Sequence, residues 1–126
     1  MSGFDHMGYS VGDIEKSAAF YDAALAPVGL TRISKIEFPG GQVIGYGAEY
    51  PIFWINTGNA LLDHVHVAFR AGTRAEVDAF YEAAVAAGGR DNGRPGIRSE
   101  YGPNYYAAFV LDPDGHNIEA VCHATA

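Results

Sequence analysis

Cysteine is nearly absent from this chain. Cys122 stands alone and cannot form an internal disulfide, which predicts a reducing compartment and a cytoplasmic protein. Positive charge is also scarce: eight Lys and Arg against 15 Asp and Glu leave a net charge of -7. Without a basic cluster, the sequence excludes a nucleic-acid partner and a polybasic membrane surface. No apolar run is long enough to span a bilayer, and the chain does not start on the basic-then-apolar pattern of a signal peptide, so no membrane partner is expected. What the chain does have is 48% apolar residues, 16 glycines and six prolines over 126 positions. These predict a single domain with a true core, built from short strands joined by tight turns.

The stretch Asp63-His64-Val65-His66-Val67-Ala68-Phe69 reads as a strand. Strand side chains alternate between faces, so His64, His66, Ala68 and Arg70 share one face, while Val65, Val67 and Phe69 share the other. The apolar face calls for a packed helix. A second copy lies sixty positions earlier, where Phe4, His6, Gly8 and Ser10 share one face. Aligning His6 with His66 gives a gap-free match through Gly29 and Gly89. It has nine identities in 24 positions, among them Gly12/Gly72, Phe20/Phe80 and Tyr21/Tyr81. The helix starts correspond too: Asp13 is a capping residue, and Thr73 with Glu76 forms a capping box.

The duplicated unit is strand–helix–strand–strand–strand. The fold expected is α+β: two βαβββ modules, about 1–60 and 61–126, forming a curved eight-stranded mixed sheet around a cavity with helices outside. Helices are predicted from Ile14 to about Leu25 and from Thr73 to the Gly88-Gly89 pair, each with an apolar stripe. Strands are predicted over 4–11, 31–38, 43–48, 52–57, 64–69, 92–98, 105–111 and 117–122. The sixth holds Gly and Pro, which marks an edge strand. Asp112-Pro113-Asp114-Gly115 carries the residues of a type I turn.

Glu119 lies in the last strand, on one face with Asn117 and Val121. A carboxylate inside an apolar strand must be paired, metal-bound or solvated in a cavity. The repeat brings His6 and His66 to corresponding places, and with Glu119 they make two imidazoles and one carboxylate. Such a set can occupy one face of a divalent metal and leave positions for substrate. Buried, hydrogen-bonded structural histidines are the alternative. Residues 93–103 form a Gly- and Pro-rich loop, and Arg98, Tyr101 and Tyr105 are candidates for substrate contact there, with Phe53, Trp54 and His64 as further pocket residues. His116 and His123 are expected to be exposed, and Cys122 to be a small core residue.

In combination and order, four features resemble the vicinal oxygen chelate superfamily of glyoxalases, bleomycin resistance proteins and extradiol dioxygenases. They are His6, Asp13-Ile14-Glu15-Lys16-Ser17 leading to Phe20-Tyr21, His66-Val67-Ala68-Phe69, and Asp112-Pro113-Asp114-Gly115-His116-Asn117-Ile118-Glu119. The resemblance implies His6, His66 and Glu119 as ligands of a divalent metal (Fe, Mn, Ni or Zn), a small-molecule substrate with vicinal oxygens, and a homodimer. It also implies a fourth ligand position in the fourth strand. Pairing that strand with the last one puts Phe53 there, which departs from the four-ligand pattern of glyoxalase I. Two functions are implied: a metal-dependent lyase, isomerase or dioxygenase, or a metal-free small-molecule binding protein of bleomycin-resistance type.

Overall fold

The computed structural model describes residues 4–61 and 63–125. Strand β1 (Met7–Val11) leads into helix α1 (Ile14–Leu25), followed by β2 (Thr31–Phe38), β3 (Gly41–Gly47) and β4 (Pro51–Thr57). The second half repeats this order with β5 (His66–Arg70), α2 (Arg74–Ala86), β6 (Arg90–Ile97), β7 (Tyr106–Leu111) and β8 (Asn117–Cys122). Both helix starts are capped as the sequence predicts. Asp13 accepts from the N–H groups of Glu15 and Lys16, and Thr73 accepts from that of Glu76. Glu76 in turn accepts from the Gly72 N–H. After α1, the short 3-10 turn Ala26–Val28 ends on Gly29 at φ 87°, a conformation that favours glycine.

The strands form two mixed four-stranded sheets, ordered β1-β4-β3-β2 and β5-β8-β7-β6. The helices lie outside them. The expected eight-stranded sheet is therefore divided: β1 and β5 are edge strands that do not pair with each other, and the sheet does not close around a cavity within the chain. Strand β6 is an edge strand, as its Gly and Pro content predicts, and its register shifts between Asp91 and Gly96. Among the described residues no helix is long and apolar enough to cross a membrane.

The physical reason for the divided sheet is the core. Each helix covers one face of its own sheet, and the helix-side residues of both modules join in one cluster. Phe53 is its centre, 1% exposed, with its ring edge-on to Tyr9 at 5.5 Å and to Phe69 at 5.3 Å. A buried polar chain crosses the same seam. The hydroxyls of Tyr9 and Tyr21 stand 2.6 Å apart, and Tyr21 donates to Asp112 Oδ2 at 2.6 Å. Asp112 Oδ1 accepts from the N–H groups of Asp114 and His116 and so shapes the β7–β8 turn. His116, expected at the surface, is fully buried: its Nδ1 accepts from the Val65 N–H, and its ring packs on Tyr9. Cys122 is buried in the core, as expected, and His123 is exposed.

Burial is the main cause that raises the Tyr9 and Tyr21 phenols well above their usual value, with the charge of Asp112 adding to it. A phenol held protonated by the fold, but free to ionise once unfolded, stabilises the native state fully below pH 10. That contribution falls as pH rises above 10. Stability measured by urea unfolding is therefore expected to be lost progressively above pH 10. Tyr21→Phe, which removes the donor to Asp112, is expected to cost about 1–3 kcal/mol at pH 7 and to flatten that alkaline decline. An unchanged slope would mean that Tyr21 is not responsible.

Candidate metal and substrate site

Parallel pairing of β5 with β8 sets His66 beside Asn117 and Ala68 beside Glu119. His66 and Glu119 share the face opposite α2. The Glu119 carboxylate is 1% exposed, and both its oxygens have partners. Oε1 stands 2.6 Å from His66 Nε2, and Oε2 accepts from the Tyr105 hydroxyl at 2.5 Å. Tyr105 precedes β7, and its ring packs edge-on against Tyr101 and His123. Burial, and then the hydrogen bond to Glu119, push its phenol up to about 12, so Tyr105 is a neutral donor at pH 7. The His66 imidazole is half exposed, which leaves its open side accessible.

Two of the three expected metal donors are thus brought together, and the third is not. His6 lies before β1, exposed, with Nδ1 2.6 Å from Asp5 Oδ1. It lines a cavity of about 410 Å³ between the edges of β1 and β5, shared with Ile52, Phe53, Val67 and Phe69. Among the described residues no three His, Cys, Asp or Glu side chains cluster closely enough to hold a metal. His66 and Glu119 are of the donor types that would hold a divalent ion, supplying one imidazole and one carboxylate. The donor set in one chain stops at those two residues.

The remaining pocket candidates separate. His64 is exposed and its ring stands against His116. Arg98 and Tyr105 belong to the Glu119 face, and Tyr101, 64% exposed, adjoins Tyr105. The fourth ligand position needs correction. Strand pairing sets Gly8 opposite Trp54 where the second module sets Ala68 opposite Glu119. Trp54, not Phe53, is therefore the counterpart of Glu119. Aligning the strands by their starts misses this because β4 begins at Pro51, one residue earlier in its register than β8, whose first residue Asn117 stands level with His66. Two residues are prominent in the structure that periodicity did not single out. Phe109 pairs with Glu119, and its ring lies 6.3 Å from that of His66. Gly45 lies beneath Trp54, where a Cβ would come within 2.8 Å of the indole.

The sequence matches the Glyoxalase/Bleomycin resistance protein/Dioxygenase superfamily over residues 3–120. The chain belongs to this superfamily. No curated protein matches it. Among solved structures, this superfamily member is similar to a glyoxalase/bleomycin resistance protein from Albidiferax ferrireducens T118. That likeness has a TM-score of 0.74 and 28% identity, covering 96% of this chain and 98% of that one. The fold alone is shared with the E144Q mutant of glyoxalase I from Zea mays, at TM-score 0.70 and 24% identity over 90% of this chain and 44% of that one. It is also shared with the fosfomycin resistance protein FosX from Listeria monocytogenes, solved with Mn(II) and sulfate, at TM-score 0.69 and 20% identity over 97% and 93%.

Trp54 is the chain's sole tryptophan and therefore reports on this face. Gly45→Ala is expected to push the indole off its seat between Gly45 and Pro51. The emission should shift to the red, with about 1–3 kcal/mol lost by denaturant unfolding. An unshifted spectrum would show that the indole does not rest on Gly45.

Proposed function

We propose that this superfamily member is a metal-dependent enzyme acting on a small molecule with vicinal oxygens, of lyase, isomerase or dioxygenase type. The observation that supports it best is the fully buried Glu119 carboxylate, held between His66 and Tyr105 on a face no helix covers. Burying such a charge costs several kcal/mol unless partners or a metal compensate. His66 and Glu119 would hold the ion, and imidazole with carboxylate accepts Fe, Mn, Ni or Zn. Bound there, a divalent ion supplies Lewis acidity toward two adjacent oxygens. Tyr105 orients Glu119 by donating its phenolic proton to Oε2, and so fixes the other oxygen toward His66.

His6 completes the set from a second copy in this proposal. Within one chain the shared core holds His6 away from the pair, and exposed apolar residues mark uncovered surface around both open faces. Ile36 and Phe38 lie on the Trp54 side of the first sheet, and Tyr101 lies beside Tyr105, all more than 45% exposed. A homodimer that buries them would set the first-module face of one protomer on the second-module face of the other. A cytoplasmic location is the reading that the lone, buried Cys122 supports.

A second reading is a metal-free binding protein. The apolar cavity near His6 and the indole at the position equivalent to Glu119 favour it. Elemental analysis after exposure to Fe, Mn, Ni and Zn separates the two. Under the first, wild-type protein retains one ion per chain. His6→Ala, His66→Ala and Glu119→Ala lose more than the roughly 10- to 100-fold in affinity that removing an outer partner costs, and Tyr105→Phe falls within that range. Purified heterodimers of His6→Ala with Glu119→Ala regain one ion per dimer, because one site keeps every ligand. Heterodimers that stay empty would mean the ligands do not cross between protomers. Wild-type protein that takes up none of the four metals would leave the binding-protein reading.

A further inference from the structure

Arg98 is the cation best placed to select a substrate on the Glu119 face. Its guanidinium lies over the Phe109 ring, 5.3 Å from the centroid, and Phe109 neighbours both Glu119 and His66. Two glycines make room for it. A Cβ on Gly93 would come within 3.1 Å of Nη2, and one on Gly96 within 3.2 Å of Nη1. Gly93 also has φ 155°, which favours glycine. Nη2 donates to the Arg94 carbonyl at 2.7 Å, and the Arg98 backbone is pinned on both sides, its N–H donating to Tyr105 O and its carbonyl accepting from Tyr101. The side chain is half-buried and held in one place.

Among the described residues no carboxylate forms an ion pair with this guanidinium. The ion pairs of the described residues include Arg32, which clamps Asp22 with two hydrogen bonds, but not Arg98. Five guanidinium donors are available, and only one is used in the hydrogen bonds of the described residues. A positioned, half-desolvated guanidinium with spare donors is a site for an oxyanion. The Phe109 ring adjoins Arg98 and also lies beside His66 and Glu119.

Resting on the metal-site reading above, we infer that the substrate is a small organic acid. Its vicinal oxygens address the ion at His66 and Glu119, its middle rests on Phe109, and its carboxylate or phosphonate is held by Arg98. The two oxyanions share the same recognition chemistry, and comparing paired probes tells them apart.

The test is calorimetric binding to Zn(II)-loaded wild-type protein and to Arg98→Ala and Arg98→Lys. The probes are catechol, 3,4-dihydroxybenzoate and 3,4-dihydroxyphenylphosphonate, which share vicinal oxygens and differ in the anion. Wild-type protein is expected to bind at least one of the acids about tenfold or more tighter than catechol, the size of one charge-assisted hydrogen bond. The acid preferred identifies the oxyanion. Arg98→Ala should lose that preference while its catechol affinity and zinc content stay unchanged, and Arg98→Lys should keep part of it. A preference that survives in Arg98→Ala, or wild-type protein that binds all three alike, overturns the Arg98 assignment and leaves the metal site standing. Protein that holds no zinc, or zinc-loaded protein that binds none of the probes, overturns the metal-site reading as well.

Discussion

The shared core beneath the two sheets governs the rest of the molecule. Phe53, Tyr9 and Tyr21 from the first module meet Phe69 and Asp112 from the second, all from the helix-bearing sides. Aromatic rings in edge-on contact bury large areas and fix relative orientation, and the tyrosine–aspartate chain adds hydrogen bonds that have no water to replace them. Once the helix-bearing sides are joined, the opposite faces are left over. The faces bearing Glu119 and Trp54 are open because the faces bearing Phe69 and Phe53 are not.

Among the described residues the carboxylates of Asp112 and Glu119 are fully buried, and their partners differ. Asp112 accepts from a tyrosine hydroxyl and two backbone N–H groups, a set that closes a turn and locks a module seam. Nothing about it requires a ligand. Glu119 is satisfied by two side chains, one of them a half-exposed imidazole that is itself a good metal donor. A structural carboxylate would be better served by backbone partners, which cost no side-chain entropy.

Much of the scaffold is legible in the sequence because local chemistry decides it. The capping residues Asp13 and Thr73 set the helix starts, and the apolar stripes set which side is buried. The repeat set the module plan, though equal positions can serve unequal ends. Gly29 is needed for its positive φ, whereas a Cβ on Gly89 would collide with Val110 and Phe20. What the sequence hid depends on long-range pairing. Phe53 and Trp54 exchange roles with a one-residue change of register, and only the pairing of β1 with β4 fixes that register. His116 is buried through a hydrogen bond to Val65, fifty-one residues away. The grouping of Arg98 with Phe109 follows from the irregular register of β6, where simple alternation of faces fails. His6 was readable as a candidate ligand, but the shared core that separates it from His66 was not.

The two modules end unequally. Where the second module places Glu119, the first places Trp54. Gly45, lacking a Cβ, leaves room for the indole, and Gly8 leaves room for the Trp54 Cβ and backbone. A strict repeat would have produced two carboxylates, and joining such faces would set like charges against each other at a cost that grows as water is excluded. The substitution removes that repulsion and supplies an aromatic surface instead. The first-module face brings an imidazole and an apolar wall, and the second brings an imidazole, a carboxylate and a guanidinium. The two open faces therefore differ in chemistry, one mainly apolar and the other bearing charged groups.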